Sequence, residues 1–340
     1  LFTSESVASG EVIWARAYDA SLNATHILNT YFVNMQYGSY SLTRQFVNTY
    51  LNRDGSRFTD KAGYEKTLFA DEFENRDYRL MQSIRYPGYT RRNNNVNTPY
   101  APDFGYCVTG YQPIKWVIDD TSMDSNTAPC ATCIPILRYA EVLLNYAEAK
   151  AELGTLTQED INLSVKRLRD RVGMSNLILD DANKNPDPYL SDAKTGYPNV
   201  TGANKGVILE IRRERTIELA MEGFRYYDIM RWKEGKTFEQ PLLGLYIPAK
   251  GEYDIDGAGT PDVYFATKGE TPSTTAKLTL VIDQDILFSD GDHGYISPHK
   301  NNPGIWDETR DYFYPIPTDD RSLTGGALTQ NPGWNDGLNF

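Results

Sequence analysis

The sequence predicts a mainly α-helical fold, with a tetratricopeptide-like pair of helices at its core and β-hairpins and long loops at its periphery. Two neighbouring segments, 136–153 and 157–172, carry apolar residues at helical spacing and are joined by a short loop. Helices resume at 206–222 and 224–233. Around these segments, short strand-like runs alternate with clusters of Asn, Asp, Gly and Pro, which are typical of turns and loops.

The two paired helices have the most regular pattern. The first is predicted to end at Gly154. The second begins at Thr157–Asp160, which is close to a capping box, and ends at Gly173. Together they span roughly one tetratricopeptide unit of ~34 residues. A single unit cannot bury its own apolar face, so other residues must cover it. The apolar stripe of the first helix consists of Ile136, Ala140, Leu143, Leu144, Ala147 and Ala151.

The remaining segments are assigned from shorter patterns. Val12, Ala17 and Ala20 lie near helical spacing and predict a helix within 5–35, which gives way to a loop around Met35–Tyr40. Further predictions are a short helix at 43–50, a long loop at 178–206, short strands and turns at 240–315, and an irregular tail at 316–340.

The composition narrows the class of protein. The chain has 340 residues, of which 40% are hydrophobic and 24% charged, and we treat 1–340 as a single globular domain. Its apolar runs are shorter than the ~20 residues that a membrane-spanning helix needs. The net charge of −12 argues against a nucleic-acid partner, which would favour a basic surface. The 24 tyrosines offer flat rings with hydroxyls, which suit stacking on sugars and protein interfaces.

Carboxylates and arginines are concentrated within 208–232. Glu214, Glu218 and Glu222 recur every four residues and therefore share one helix face. A glycosidase-like catalytic pair is one interpretation, but catalytic carboxylates flank a sugar from opposite sides, and neighbours on one helix cannot. The sequence therefore predicts a structural ion-pair network and no catalytic residue. The members of this network are Glu214, Arg215, Glu218, Glu222, Arg225, Asp228 and Arg231.

Asp254, Asp256 and Asp262 form a candidate calcium loop. Calcium loops hold the ion with oxygen ligands at alternating positions, but Ala258 stands where another ligand is needed. The alternative is a tight hairpin turn that uses Gly257 and Gly259 for a positive φ, and it is favoured because too few ligands are in place. No cofactor is predicted.

The three cysteines leave two alternatives open. Cys130 and Cys133 form a C-x-x-C between prolines, and Cys107 stands apart. The histidines are too distant in sequence to complete a zinc site. A thioredoxin-like redox site would need a βαβ pattern, and none surrounds the motif. A structural disulfide and free thiols are both compatible with the sequence.

The segment Ile208–Trp232 resembles a signature of the SusD/RagB family, E-x-R-R-E-R followed by E-L-A-x-E-G-x-R-x-x-D-x-x-R-W. Other segments resemble family elements in the same order, over 75–334. They are Asn75–Leu80 (N-R-D-P-R-L, with Tyr78 in place of Pro), Gly110–Lys115 (G-Y-x-x-x-K), Arg138–Ala149 (a tetratricopeptide helix), Tyr314–Pro317 (P-I-P) and Gln330–Trp334 (Q-N-P-G-W).

This resemblance implies a role in nutrient capture. Members of the family are cell-surface lipoproteins of the outer membrane of Bacteroidetes, which bind glycans, or peptides in some members, for a SusC-like TonB-dependent transporter. The chain resembles the C-terminal part of such a protein, so the family's N-terminal helical part and lipid anchor are expected outside these residues. Glycan capture is the expected function, and capture of peptides or another nutrient is the alternative. A glycoside hydrolase and a purely structural lid on the transporter are rivals from other classes.

The candidate ligand contacts are assigned loop by loop, because no motif places the family's binding sites. Sugar recognition needs flat exposed rings for stacking and polar side chains for hydroxyls. The candidates are Tyr37 and Tyr40 in 31–40, Tyr86, Tyr89 and Arg91 in 85–92, and Trp306. The other tryptophans, Trp14, Trp116, Trp232 and Trp334, are expected in the core.

Overall fold

Within residues 1–34 and 37–338, which this computed structural model describes, the protein consists of eleven α-helices and nine short β-strands joined by 3₁₀ turns and loops. The helices are α1 (Leu28–Val33), α2 (Arg44–Thr49), α3 (Leu80–Ser83), α4 (Tyr139–Glu152), α5 (Gln158–Leu163), α6 (Val165–Asp170), α7 (Leu179–Lys184), α8 (Pro188–Ser191), α9 (Lys205–Glu218), α10 (Arg225–Trp232) and α11 (Thr318–Leu323). The strands are β1 (Val12–Arg16), β2 (Thr90–Asn93), β3 (Val96–Pro99), β4 (Ile134–Arg138), β5 (Tyr246–Ile247), β6 (Gly251–Tyr253), β7 (Val263–Ala266), β8 (Leu278–Val281) and β9 (Gly294–Tyr295). Among the described helices, none combines the length and hydropathy needed to cross a membrane.

The predicted N-terminal helix is wrong for most of its length. Residues 12–16 form strand β1, which pairs antiparallel with β4, and only α1 is helical in that region. The β-branched side chains of Val12 and Ile13 and the ring of Trp14 favour an extended chain. Trp14 was expected in the core, but 62% of its surface is exposed, because the two-stranded sheet leaves much of both its faces uncovered.

The predicted pair of helices is present, and its second member is divided in two. The capping box forms at the start of α5, where the Thr157 hydroxyl accepts the Asp160 N–H and the Asp160 carboxylate accepts the Thr157 N–H. At Ser164 the chain leaves helical angles, and the Ser164 hydroxyl donates to the Asp160 carbonyl, so α5 and α6 are separate. Gly154 follows the first helix of the pair with a φ of 69°, and Gly173 follows the second with a φ of 67°. The tetratricopeptide-like character of the pair stays a prediction.

The helix predicted at 43–50 is confirmed as α2.

Two regions predicted to be irregular contain helices. The segment 178–206 is not one loop, because it contains α7 and α8; the Asp187 side chain accepts backbone N–H groups at the start of α8, and Pro188 occupies its first position. The tail also contains a helix, α11, while Asn339 and Phe340 lie outside the described residues.

The predicted strands of 240–315 are confirmed as β5–β9. Strand β7 pairs antiparallel with β6 and parallel with β8, while β5 pairs with β9. The fully buried side chains of Val263 and Phe265 join a core that includes Val47 and Tyr50 of the α2 region. Strands β2 and β3 form a separate hairpin.

Helix α9 lies at the centre of the molecule. Twelve of its 14 residues are buried, and it packs against α2, α4, α6 and α7. Its apolar residues Val207, Leu209 and Ile211 join a core formed with α4, α5, α7 and α8. Gly206 permits the close approach of α7, since a Cβ at this position would stand 1.8 Å from the carbonyl oxygen of Ala182.

Replacing Gly206 by Ala should destabilise the protein, although Ala is the better helix former. We expect the free energy of unfolding to fall by about 1–3 kcal/mol, because the added methyl group must push α7 away from α9. Urea unfolding measures this change. Gly10→Ala is the control, because a Cβ at Gly10 meets open space, and equal stability of the two variants would contradict the prediction.

Candidate functional site

The carboxylate of Glu214 is buried among arginines. Its two oxygens accept hydrogen bonds from Arg79 at 2.5 Å and from Arg169 at 2.9 Å. Burial opposes ionisation of this carboxyl, but the charges of Arg79 and Arg169 outweigh it and lower the pKa of Glu214 to about 2. Glu214 is therefore ionised at neutral pH and cannot act as a general acid.

Glu218 and Glu222 continue the same network. Glu218 accepts hydrogen bonds from Arg138 at 3.0 Å and from the half-exposed Arg171 at 2.7 Å. Glu222, which lies beyond the end of α9, pairs with Lys115 at 2.5 Å and with Arg138 at 2.7 Å. Burial opposes ionisation of Glu218, but its arginine partners lower its pKa. The cations of this network come from distant segments of the chain, which the local sequence pattern did not indicate.

The arginines within 208–232 have other partners. Arg215 and Arg231 both pair with Asp228, at 2.9 and 2.8 Å. Arg225 was predicted to join the network, but it forms no ion pair within the described residues. Its guanidinium instead donates to the hydroxyls of Tyr197 and Thr216. Arg225 leaves the network because these two hydroxyls engage its guanidinium, while Asp228 is already paired with Arg215 and Arg231.

Three tyrosines of the first predicted loop lie together. The Tyr31 ring is 5.2 Å from that of Tyr37 and 6.4 Å from that of Tyr40, measured between centroids. Tyr31 and Tyr40 are 36% and 48% exposed, so these rings form an accessible aromatic group. The Asn126 amide donates to the Tyr37 hydroxyl at 2.8 Å. We call Tyr31, Tyr37 and Tyr40 the tyrosine cluster; Met35 and Gln36 of the same loop lie outside the described residues.

The second predicted loop is more deeply packed. Tyr86 and Tyr89 are half-buried, with ring centroids 5.6 Å apart. Arg91 is 1% exposed, so it is not free to bind a ligand. Its guanidinium pairs with Asp124 at 2.6 Å and donates to the Ile118 carbonyl. Arg91 is therefore a positioning residue for the segment 118–126.

Segment 118–126 connects the two predicted loops. Asp124 accepts hydrogen bonds from Arg91 of β2 and from Asn29 of α1. Asn126, two residues further on, contacts the tyrosine cluster through Tyr37. The structure thus connects both loops to one segment.

Trp306 was predicted as an exposed ring but is only 8% exposed. It stacks on Phe238, with centroids 5.3 Å apart and an interplanar angle of 29°, and Tyr312 contacts it edge-on. Its backbone is tied to the same region, since its N–H donates to Glu239 at 2.9 Å. Trp306 therefore supports Phe238 and presents no open face.

An exposed aromatic group surrounds Phe238, and sequence reasoning missed it. Tyr226 lies 6.0 Å from Phe238 and 6.2 Å from Tyr314 between ring centroids. Phe238 is 36% exposed and Tyr314 is 68% exposed. Tyr226 and Tyr314 belong to segments that resemble family signatures and are not among the candidate ligand contacts. The signal that could have indicated them is the density of aromatic residues between Phe224 and Trp232.

A cleft lies between the start of α2 and the segment that joins α9 to α10. Its cavity volume is 380 Å³, and its walls include Ser41, next to Tyr40 in the chain, and Tyr226. The apolar part of its lining includes Phe46 and Leu219. The aromatic residues of its lining are Phe46, Phe224 and Tyr226.

The carboxylates of Asp254, Asp256 and Asp262 lie together, with candidate ligand atoms within 4.8 Å of one another. Burial and the neighbouring carboxylates raise the pKa of Asp256. Asp262 is also engaged by the Lys277 ammonium at 2.8 Å. Strands β6 and β7 pair antiparallel, but residues 254–262 that connect them form a loop longer than the tight turn that was predicted. Gly257 and Gly259 have the positive φ expected of them. The cluster offers oxygen ligands of the kind that Ca²⁺ prefers, and metal binding here stays a prediction.

The three cysteines are free thiols and all are buried, so the alternative of a disulfide is wrong for this structure. The sulfur of Cys130 lies 3.8 Å from Nε2 of His26. Burial raises the pKa of this thiol, but hydrogen bonds from His26 and Thr132 outweigh that effect and lower it to about 7.

Comparison with known proteins places the chain in a family. The model of the SusD family matches residues 10–334. The chain belongs to the SusD family. This membership agrees with the motifs in the sequence, and it covers nearly the whole chain. No curated protein matches the sequence of this SusD-family chain.

Solved structures have the same fold. A SusD-like protein from Bacteroides fragilis is 20% identical, with a TM-score of 0.58, and the match covers 98% of this chain and 58% of that one. A SusD-like carbohydrate binding protein from the same organism is 22% identical, with a TM-score of 0.59, over 92% of this chain and 53% of that one. The chain therefore spans little more than half the length of these relatives.

Replacing Glu214 by Gln should make the folded protein less stable at neutral pH. It should also make the stability less sensitive to a fall in pH. Removing one partner of a buried ion pair costs about 3–5 kcal/mol. Because folding lowers the pKa of Glu214 from 4.5 to about 2, its contribution is fully present above the unfolded value and is lost as the pH falls towards 2. Thermal unfolding from about pH 7 to pH 2 measures both effects.

We expect the Glu214→Gln variant to have a lower Tm at neutral pH and a smaller decrease in Tm on acidification than the unmodified protein. Glu159→Gln, at an exposed position on α5, is the control and should match the unmodified protein. An unchanged Tm in Glu214→Gln would show that the network contributes no stability through this carboxylate.

Proposed function

We propose that this SusD-family chain captures a glycan at the cell surface and delivers it to a SusC-like TonB-dependent transporter in the outer membrane. The observation that carries the proposal is the accessible tyrosine cluster, found in a family whose solved members include a SusD-like carbohydrate binding protein. The location at the outer membrane and the transporter partner are parts of the same proposal, and they follow from the family.

The tyrosine cluster has the features that a sugar requires. Its tilted rings offer flat apolar faces to the C–H groups of a pyranose, and the tyrosine hydroxyls can bind sugar hydroxyls. The hydrogen bond from Asn126 fixes the position of the Tyr37 hydroxyl, which reduces the ordering cost of binding. We propose Tyr37 and Tyr40 as direct contacts and Tyr86 and Tyr89 as further contacts.

Binding without hydrolysis is part of the proposal. The carboxylates of α9 that resemble a catalytic pair are buried and paired with arginines. A glycosidase needs one protonated carboxyl as its general acid, with a raised pKa, whereas Glu214 and Glu218 have lowered pKa values. These carboxylates therefore support a structural role.

The combined change Tyr37→Ala and Tyr40→Ala should weaken glycan binding at least about tenfold, which corresponds to 1.4 kcal/mol. The reason is the loss of two stacking faces. Isothermal titration calorimetry with a panel of neutral and acidic oligosaccharides measures the affinity. Tyr78→Ala removes a tyrosine that is 45% exposed elsewhere and is the control. Unchanged affinity in the double variant would refute this site, and the absence of any binding in the panel would refute the function.

Incubation with the same oligosaccharides should release no reducing sugar. Product analysis by chromatography tests this expectation, because a binding protein leaves the chain length of its ligand unchanged. Release of sugar that disappears in Glu218→Gln would establish a hydrolase and overturn the proposal.

A further inference from the structure

A second cleft lies between the segment after α10 and the turn after β9. We call it the Phe238 cleft; its walls include Phe238, Leu242, Asp290, Tyr295, His299 and Asn302. Its cavity volume is 650 Å³, within the range of about 300–1,000 Å³ typical of small-ligand sites. The two segments are tied together outside the cleft, where the Lys236 ammonium donates to the Trp306 carbonyl.

Phe238 lines this cleft, and 36% of its surface is exposed. One face of its ring is covered by the stacked ring of Trp306, which is almost fully buried. A Cβ at Gly304 would stand 2.0 Å from the Phe238 carbonyl oxygen, so the backbone around the ring is closely packed. Phe238 is thus held as a rigid platform, and rigid aromatic surfaces bind ligands at a low cost in conformational entropy.

Polar groups stand around this platform without partners of their own. The side chains of His299 and Asn302 make no hydrogen bond within the described residues, although both line the cleft. The Gln240 amide is held by the carbonyls of Ala193 and Gly196, which orders that wall. An imidazole and an amide beside an aromatic ring form a set of groups that recognises the C–H face and the hydroxyls of a sugar.

The charges of the cleft favour an uncharged ligand. Glu239 and Asp290 are acidic, and Lys300 is the basic residue of the lining, with its ammonium donating to the carbonyls of Phe288 and Ser289. Glu239 is itself paired with Lys236 at 2.8 Å, so the lining carries little net charge, and the whole chain carries a net charge of −12. The two ammonium groups near the cleft are thus already engaged, and the negative field of the whole chain disfavours a uronate or sulfated sugar.

We propose that the Phe238 cleft is a second carbohydrate site, which binds a short uncharged oligosaccharide. Phe238 stacks on a sugar ring, and His299 and Asn302 bind its hydroxyls. This inference rests on the proposed glycan binding and adds a subsite that is separate from the tyrosine cluster. Two sites would let one long glycan chain bind at two points, which raises its effective affinity.

The test isolates the second site in a protein that carries Tyr37→Ala and Tyr40→Ala. Calorimetry uses maltohexaose, cellohexaose, xylohexaose and mannohexaose, with hexagalacturonate as the acidic counterpart. In this background, Phe238→Ala and Asn302→Ala should each weaken the remaining binding of a neutral hexaose, by about tenfold for Phe238→Ala. Phe238→Trp should retain binding, because it keeps a flat ring, and hexagalacturonate should not bind.

Phe313→Ala is the matched control, since Phe313 is exposed and lies outside the lining of the cleft. Thermal unfolding of each variant verifies that it is folded. If the unmodified protein binds a hexaose but Phe238→Ala leaves the affinity unchanged, this inference fails while the proposed function stands. A cleft that binds a protein partner in place of a sugar would give that result. If the unmodified protein binds no sugar, both fail. If Phe238→Ala weakens binding and the tyrosine changes do not, the second site is supported and the assignment to the tyrosine cluster fails.

Discussion

The ion pairs buried around helix α9 are the constraint on which the rest of the structure depends. Glu214 and Glu218 are joined to Arg79, Arg138 and Arg169, which come from the start of α3, the end of β4 and α6. A buried charge without a partner costs several kcal/mol, so these segments must meet at α9 for the chain to fold. Replacing such pairs by apolar residues is often neutral, so we infer that they specify the arrangement more than they add net stability.

A separate buried ion pair positions the loops that we propose to contact a glycan. Arg91 is buried, and its pairing with Asp124 holds segment 118–126 against β2. That segment then orients Tyr37 through Asn126. In this SusD-family chain the arginine positions the loop, and the tyrosine remains accessible to a ligand. Aromatic side chains suit this role because few rotatable bonds must be ordered when a ligand binds.

Much of the helical framework could be predicted from the sequence, because its signals are local. The capping box at Thr157 and the positive-φ glycines at Gly154 and Gly173 depend on neighbouring residues alone. The N-terminal helix was predicted wrongly because a few apolar residues fit both a helix and a strand. Pairing with β4 stabilises the strand. Helices α7 and α8 were missed because each has too few residues to show helical periodicity.

The sequence by itself determined the family, the acidic character of the chain and the row of carboxylates at Glu214, Glu218 and Glu222. Only the tertiary structure decided which aromatic and charged residues reach the surface. Trp306 is covered by Phe238 and Arg91 by Asp124, whereas Trp14 is exposed. The physical reason is that the exposure of a side chain depends on neighbours that are distant along the chain, and no local pattern in the sequence records them.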